Sequence, residues 1–100
     1  MQLHPLKLVT IICEALAREP IKKVLKEVGA HGYTLFTVEG DGTRGRRLAD
    51  IQEFANIQVE VIVPPDVAEK LLKRLHDEFF PQFAMVAYDT DILVLRREKF

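Results

Sequence analysis

The run Gly40-Asp41-Gly42-Thr43-Arg44-Gly45-Arg46-Arg47 concentrates most of the chemistry this chain offers, with three of its five glycines and three arginines in four positions. Glycine lets backbone N–H groups turn inward as an anion-binding concavity, and the forked donors of arginine match phosphate or carboxylate. Such a stretch can grip an anion. It can equally be a Gly-Asp-Gly turn followed by arginines that keep an exposed loop soluble, because short glycine-rich patterns recur without a ligand. Thr34 lies a few residues before it, and Arg96-Arg97 near the other end of the chain adds a second pair of cations. Together these groups could enclose a phosphate-bearing ligand between subunits.

Other chemistry finds less support. The chain has no serine, and its single cysteine, Cys13, lies in an apolar run, where it reads as a small core residue and not a nucleophile. His4, His31 and His76 share no metal-ligand spacing, so no metal site is expected. Asp89 and Asp91 flank Thr90 and read as turn formers before they read as a catalytic pair. Phe79-Phe80 reads as a core plug at a helix end, and paired exposed aromatics of an RNA-binding sheet are not evident. No catalytic residue is assigned.

The elements that would position these groups show in the hydrophobic periodicity. Lys7 to Cys13 is short and rich in β-branched residues, as in a strand buried on most of both faces. Ile21, Val24, Leu25 and Val28 then repeat at helical spacing, with Pro20 suited to the first turn and Gly29 to the C-terminal cap. A second strand is expected over 33–38, followed by a loop to about Ala55. Ile57, Val59, Val61 and Val63 alternate with Gln58, Glu60 and Ile62 in a third strand. Pro64-Pro65 ends it. Asp66 lies in the first turn of a second helix with the stripe Ala68, Leu71, Leu72, Leu75 and Phe79, which Pro81 stops. Residues 84–88 and 92–95 read as strand segments, either a hairpin or one strand with a polar interruption.

Strand, helix, strand, strand, helix, strand is the α+β, ferredoxin-like split βαβ order, an antiparallel sheet with two helices on one face. The other face has no helix to cover it. Ile62 and either Leu35 or Phe36 would lie there, so a second subunit is expected to bury it. One hundred residues make a single domain, for which oligomerisation would add buried surface. The formal net charge of −1 argues against bulk capture of nucleic acid or acidic membrane, and no apolar run is long enough to span a bilayer. A lone cysteine and the lack of a charged-then-apolar leader point to the cytoplasm.

Over nearly its whole length the chain resembles the PII-like signalling proteins, homotrimers of ferredoxin-like subunits that bind adenine nucleotides between subunits. The likeness rests on Lys7-Leu8-Val9-Thr10-Ile11-Ile12, Gly32-Tyr33-Thr34, Gly40-Asp41-Gly42, Asn56 through Val61, and Val86 through Arg97. Gly32-Tyr33-Thr34, the pattern Gly-x-Gly-Thr-Arg-x-x-Arg and the short C-terminus resemble the carbon-sensing branch, which includes carboxysome-associated members and the partner of a bicarbonate transporter.

The resemblance implies a non-enzymatic sensor with a flexible T-loop at about 40–56. Gly32, Thr34 and the backbone of Leu35 would meet adenine or ribose, with Glu60 and Ile62 lining the adenine side. Gly40 and Gly42 would let the backbone approach, and Arg44 or Arg47 with Arg96 would meet phosphates. Bicarbonate would lie at the loop base, by Gly42, Thr43, Arg44 and Arg46. The Gly- and Lys-rich loop that nitrogen sensors carry before the last strand is replaced by Phe79-Phe80-Pro81-Gln82-Phe83, which favours AMP, ADP or cyclic AMP over ATP. The tyrosine uridylylated in some nitrogen sensors is missing between Arg44 and Ala55. The regulated partner would be a membrane transporter or a carboxysome-related protein. Two other readings share the topology: a copper-tolerance-type trimer using Cys13 and histidines, and a small acylphosphatase-like enzyme.

Overall fold

A computed structural model describes residues 1–40 and 56–100. The chain order is β1 (His4–Glu14), α1 (Arg18–Val28), β2 (Thr34–Val38), β3 (Asn56–Val63), α2 (Pro65–Arg74, continued by a wider turn over Leu75–Phe79) and β4 (Met85–Val94). The strands form one sheet in the order β2-β3-β1-β4, and each neighbouring pair is antiparallel. This is the expected split βαβ architecture.

The pairing register sorts every strand residue onto one of two faces, because side chains alternate along a strand. One face carries Val9, Ile11 and Cys13 of β1 beside Ile57, Val59, Val61 and Val63 of β3, all buried. Ile21, Val24 and Leu25 of α1 and Ala68, Leu71, Leu75 and Phe79 of α2 close over them to complete the core. Burying each of the larger side chains contributes about 1.5–3 kcal/mol, which is why the periodic apolar positions dictate the fold. Cys13 is 2% exposed and forms no disulfide, as a core residue should be.

Local signals set the helix ends. Gly29 is left-handed at φ 92°, its N–H donates to Lys26 O (3.3 Å), and the Ala30 N–H donates to Leu25 O (2.9 Å). This pair of bonds is a Schellman cap, and only glycine takes that φ without strain. Pro65 opens α2 with Asp66 in its first turn. Near the other end the Phe80 N–H reaches back five residues to Leu75 O (2.9 Å), which widens the turn. Phe79 is buried there but Phe80 is 42% exposed, so the core plug expected of both is Phe79 alone.

The two segments 84–88 and 92–95 belong to one strand. Asp89, Thr90 and Asp91 pair with Val9, Leu8 and Lys7 without a break, so the acids are not turn formers. Lys7 Nζ reaches Asp91 Oδ1 at 2.7 Å, and that hydrogen bond, with the nearby charges of Asp91 and Asp89, raises the Lys7 ammonium above its ordinary value. Both groups lie on the helix-side face of the sheet, at the end away from β2. The polar interruption is therefore satisfied within the ladder, where a turn would have broken it.

Candidate functional site

The open sheet face is ordered in rows by the register. Thr34, Glu60, Thr10 and Tyr88 face one another in sequence across the four strands; Phe36, Gln58, Ile12 and Val86 form the row next to it. Ile62, Leu8 and Thr90 flank the first row on its other side. Phe36 (39% exposed), Tyr88 (48%) and Val86 (58%) present apolar surface that no described helix or strand fully covers. The sequence left Leu35 or Phe36 as the residue on this face. Register assigns Phe36 to it, while Leu35 opposes Val59 and packs on the core.

Thr34 and Glu60, on β2 and β3, are direct cross-strand partners on this face. Gln58 Nε2 donates to Glu60 Oε2 at 3.1 Å, which fixes the carboxylate along β3 and leaves its other oxygen to accept. Gly32 is exposed just before β2, and a Cβ placed there would meet nothing within 4 Å. Leu35 turns its side chain to the core, on a strand at the edge of the sheet. Gly40 follows β2 beside Asn56, whose Nδ2 would stand 3.8 Å from an added Cβ. From the Glu60 row to the Asn56 row is four residue steps, about 13 Å, comparable to the reach of an extended nucleoside diphosphate. Gly42, Thr43, Arg44, Arg46 and Arg47 lie outside the described residues.

Arg96 is placed apart from all of these. Val38 and Asn56 stand in the row of Glu14, whereas Val94 stands in the row of His4, ten steps away along β1, or about 33 Å. β2 and β4 are also opposite edges of the sheet. Gly40 and Arg96 of one chain therefore cannot hold the same small ligand. The sequence grouped them in a site between subunits, and a site that used both would have to draw them from different chains.

Two grooves lined by described residues lie between the two helices. One of about 320 Å³ is lined by Pro20, Val24, Phe79 and Phe83 with Lys23, Glu27, Arg74 and Glu78 at its rim. Its rim is tied internally: Arg74 Nη1 donates to Glu27 (3.0 Å), while its Nε and Nη2 donate to Glu78 (2.6 and 2.9 Å). These bonds hold the Glu78 carboxyl below its ordinary range. Among the described residues no three His, Cys, Asp or Glu side chains are close enough together to hold a metal ion. Sequence reasoning passed over Arg18, whose Nε is buried without a hydrogen-bond partner. No periodicity marks such a residue, since its burial follows from how α1 docks.

The fold is an antiparallel split βαβ sheet with two helices on one face and polar groups at the β2–β3 edge of the other. Comparison with known proteins identifies it further. The family described as nitrogen regulatory protein P-II matches residues 6–99, and the chain belongs to that family. A crystal structure of a PII-like signalling protein from Thermus thermophilus is 44% identical, with a TM-score of 0.87 over 100% of this chain and 99% of that one. CPII from Thiomonas intermedia, a nitrogen regulatory PII-like protein bound to ADP, AMP and bicarbonate, is 31% identical with a TM-score of 0.90, covering 99% and 96% of the two chains. The same protein bound to ADP and bicarbonate gives 31% and 0.89, covering 99% and 97%. The resemblance to the carbon-sensing branch is thereby supported.

Proposed function

We propose that this protein is a non-enzymatic, homotrimeric sensor that binds an adenine nucleotide, AMP or ADP in preference to ATP, together with bicarbonate, in clefts between subunits. The observation that carries the reading is the Thr34–Glu60 pair on an uncovered sheet face, about 13 Å along the strands from the Gly40 end, in a chain 31% identical to a protein that holds ADP, AMP and bicarbonate. Thr34, Glu60 and Ile62, with Gly32 and the Leu35 backbone, take the base and ribose. The phosphates run towards Gly40 and Gly42 and meet Arg44 or Arg47 of the same chain and Arg96 of a neighbour. Bicarbonate sits at the loop base near Gly42, Thr43, Arg44 and Arg46.

Phe80, Pro81 and Gln82, in the turn before β4, offer no glycine or lysine donors for a third phosphate. That composition underlies the preference for AMP and ADP. Regulation follows if the two ligands bind two conformations of the loop at 40–56 differently, so altering its grip on a partner in inorganic-carbon metabolism. Calorimetric titration with AMP, ADP, ATP and cyclic AMP, each with and without bicarbonate, tests the proposal. Binding of ADP or AMP tightened by bicarbonate is expected, and bicarbonate must then be tightened equally by the nucleotide. Absence of heat and of thermal stabilisation with every adenine nucleotide removes it.

A further inference from the structure

Gln58 and Glu60 stand two residues apart on β3 and so share the sheet face away from α1 and α2. Gln58 is the polar residue of an otherwise apolar row, opposite Phe36 of β2 and Ile12 of β1, with Val86 of β4 beyond. Its amide turns along β3 to the next row, where Nε2 donates to Glu60 Oε2 at 3.1 Å between two half-buried side chains. A carboxylate only accepts, so the end of the amide that meets it is the NH2. The bond engages one Glu60 oxygen and leaves Oε1 to accept, beside the cross-strand hydroxyl of Thr34.

Purine bases present different edges to such an acceptor. Adenine offers one exocyclic donor, N6–H2, beside the N1 acceptor. Guanine offers O6 as an acceptor and the neighbouring donors N1–H and N2–H2. A carboxylate with both oxygens free matches guanine, one oxygen to each donor. With Oε2 bonded to Gln58 and the group held along β3, Glu60 presents a single acceptor, which matches N6–H2 of adenine. Guanine in the same place would set O6 against that oxygen, or leave one of its paired donors unmet, and either is costly in a desolvated site.

We propose that Gln58 is a positioning residue that makes the site selective for adenine over guanine, by holding Glu60 with one oxygen free for the base. The inference deepens the nucleotide reading of this face and rests on it.

The test titrates ADP, GDP and purine riboside diphosphate, which lacks the 6-amino group, into the wild type and variants by calorimetry. Gln58→Met removes the donor at nearly constant length, and Gln58→Lys keeps a donor that reaches Glu60. Melting checks that each variant folds, and Gln58→Leu replaces Gln58→Met if that one does not. The wild type should bind ADP about tenfold or more tighter than either other nucleotide. In Gln58→Met that preference should fall about tenfold, and Gln58→Lys should restore it, because the cost of deleting the 6-amino group is coupled to Gln58 through Glu60. An unchanged preference in Gln58→Met overturns the proposal. So does an equal loss of all three nucleotides, the result of a merely structural role, and so does a wild type that takes GDP as well as ADP. Those three outcomes leave the nucleotide reading standing. A wild type that binds none of the three removes that reading and this inference with it.

Discussion

Thr34 and Glu60 stand directly opposite each other on β2 and β3, on the sheet face away from α1 and α2. A hydroxyl beside a carboxylate already held by Gln58 gives one donor-or-acceptor and one free acceptor at a fixed spacing. Such a pair can read the donor edge of adenine. Replacing Glu60 by Gln, or Thr34 by Val, should weaken ADP about tenfold by calorimetry, the worth of one hydrogen bond in a desolvated site. Equal weakening of ADP and of inorganic phosphate would remove the pair from the base-binding end.

Arg96 lies about 33 Å along the strands from the row that leads into Gly40. A site using both must draw them from different subunits, so two defective variants should complement each other. Arg96→Ala and Glu60→Gln homo-oligomers should each bind ADP poorly, whereas subunits mixed by unfolding and refolding together should regain tight binding at about one quarter of sites, as random assortment in a ring requires. Titration stoichiometry measures the fraction. No regained sites would place Arg96 outside the nucleotide cleft.

Val86, Tyr88 and Phe36 expose apolar surface on the face that carries the Thr34–Glu60 pair. A charge there should prevent subunit association, because an unpaired buried carboxylate costs several kcal/mol. Val86→Asp is expected to sediment as a monomer and to lose ADP binding with it. A trimer that tolerates this change would mean that association uses another surface.

Gly29 closes α1 in the left-handed region at φ 92°, with nothing within 4 Å of an added Cβ. Gly29→Ala therefore tests conformation alone, without a clash. The expected loss is about 1 kcal/mol, or a melting temperature lower by roughly 4–8 °C for a domain of this size. Nucleotide affinity should not change.

Acid should weaken the α2 surface network. The Lys73 and His76 side chains hold the Asp77 carboxyl below its ordinary value, and Arg74 does the same for Glu78. A carboxylate with a depressed folded-state value binds fewer protons than in the unfolded chain. Its contribution is thus present above the unfolded value, near pH 4, and is lost as pH falls through the lower folded one. All these groups are exposed, so the effect is small and screened. Melting followed from pH 6 to pH 2 should fall less steeply in Arg74→Met than in the wild type, and 1 M salt should narrow the difference. Identical slopes would show that the network does not contribute.

Much of the fold was legible locally. The 3-4 spacing of Ile21, Val24, Leu25 and Val28, Gly29 after it, and the alternation from Ile57 to Val63 each mark an element and its buried side, because burial must follow the period of the backbone. The Asp89-Thr90-Asp91 interruption was ambiguous for the same reason: nothing within three residues says whether a partner strand continues. Lys7 supplies the answer from eighty-odd positions away, by standing opposite Asp91.

By itself, then, the sequence determined the class of elements, their order and the residue types available to bind an anion, since these depend on neighbours in the chain. Tertiary structure decided what depends on residues distant in sequence. It put Phe36 and not Leu35 on the open face, set Thr34 against Glu60, left Arg18 Nε buried without an acceptor, and separated Gly40 from Arg96. Register fixes the first two, helix docking the third and strand order the last, and each is a long-range consequence of packing the shared core.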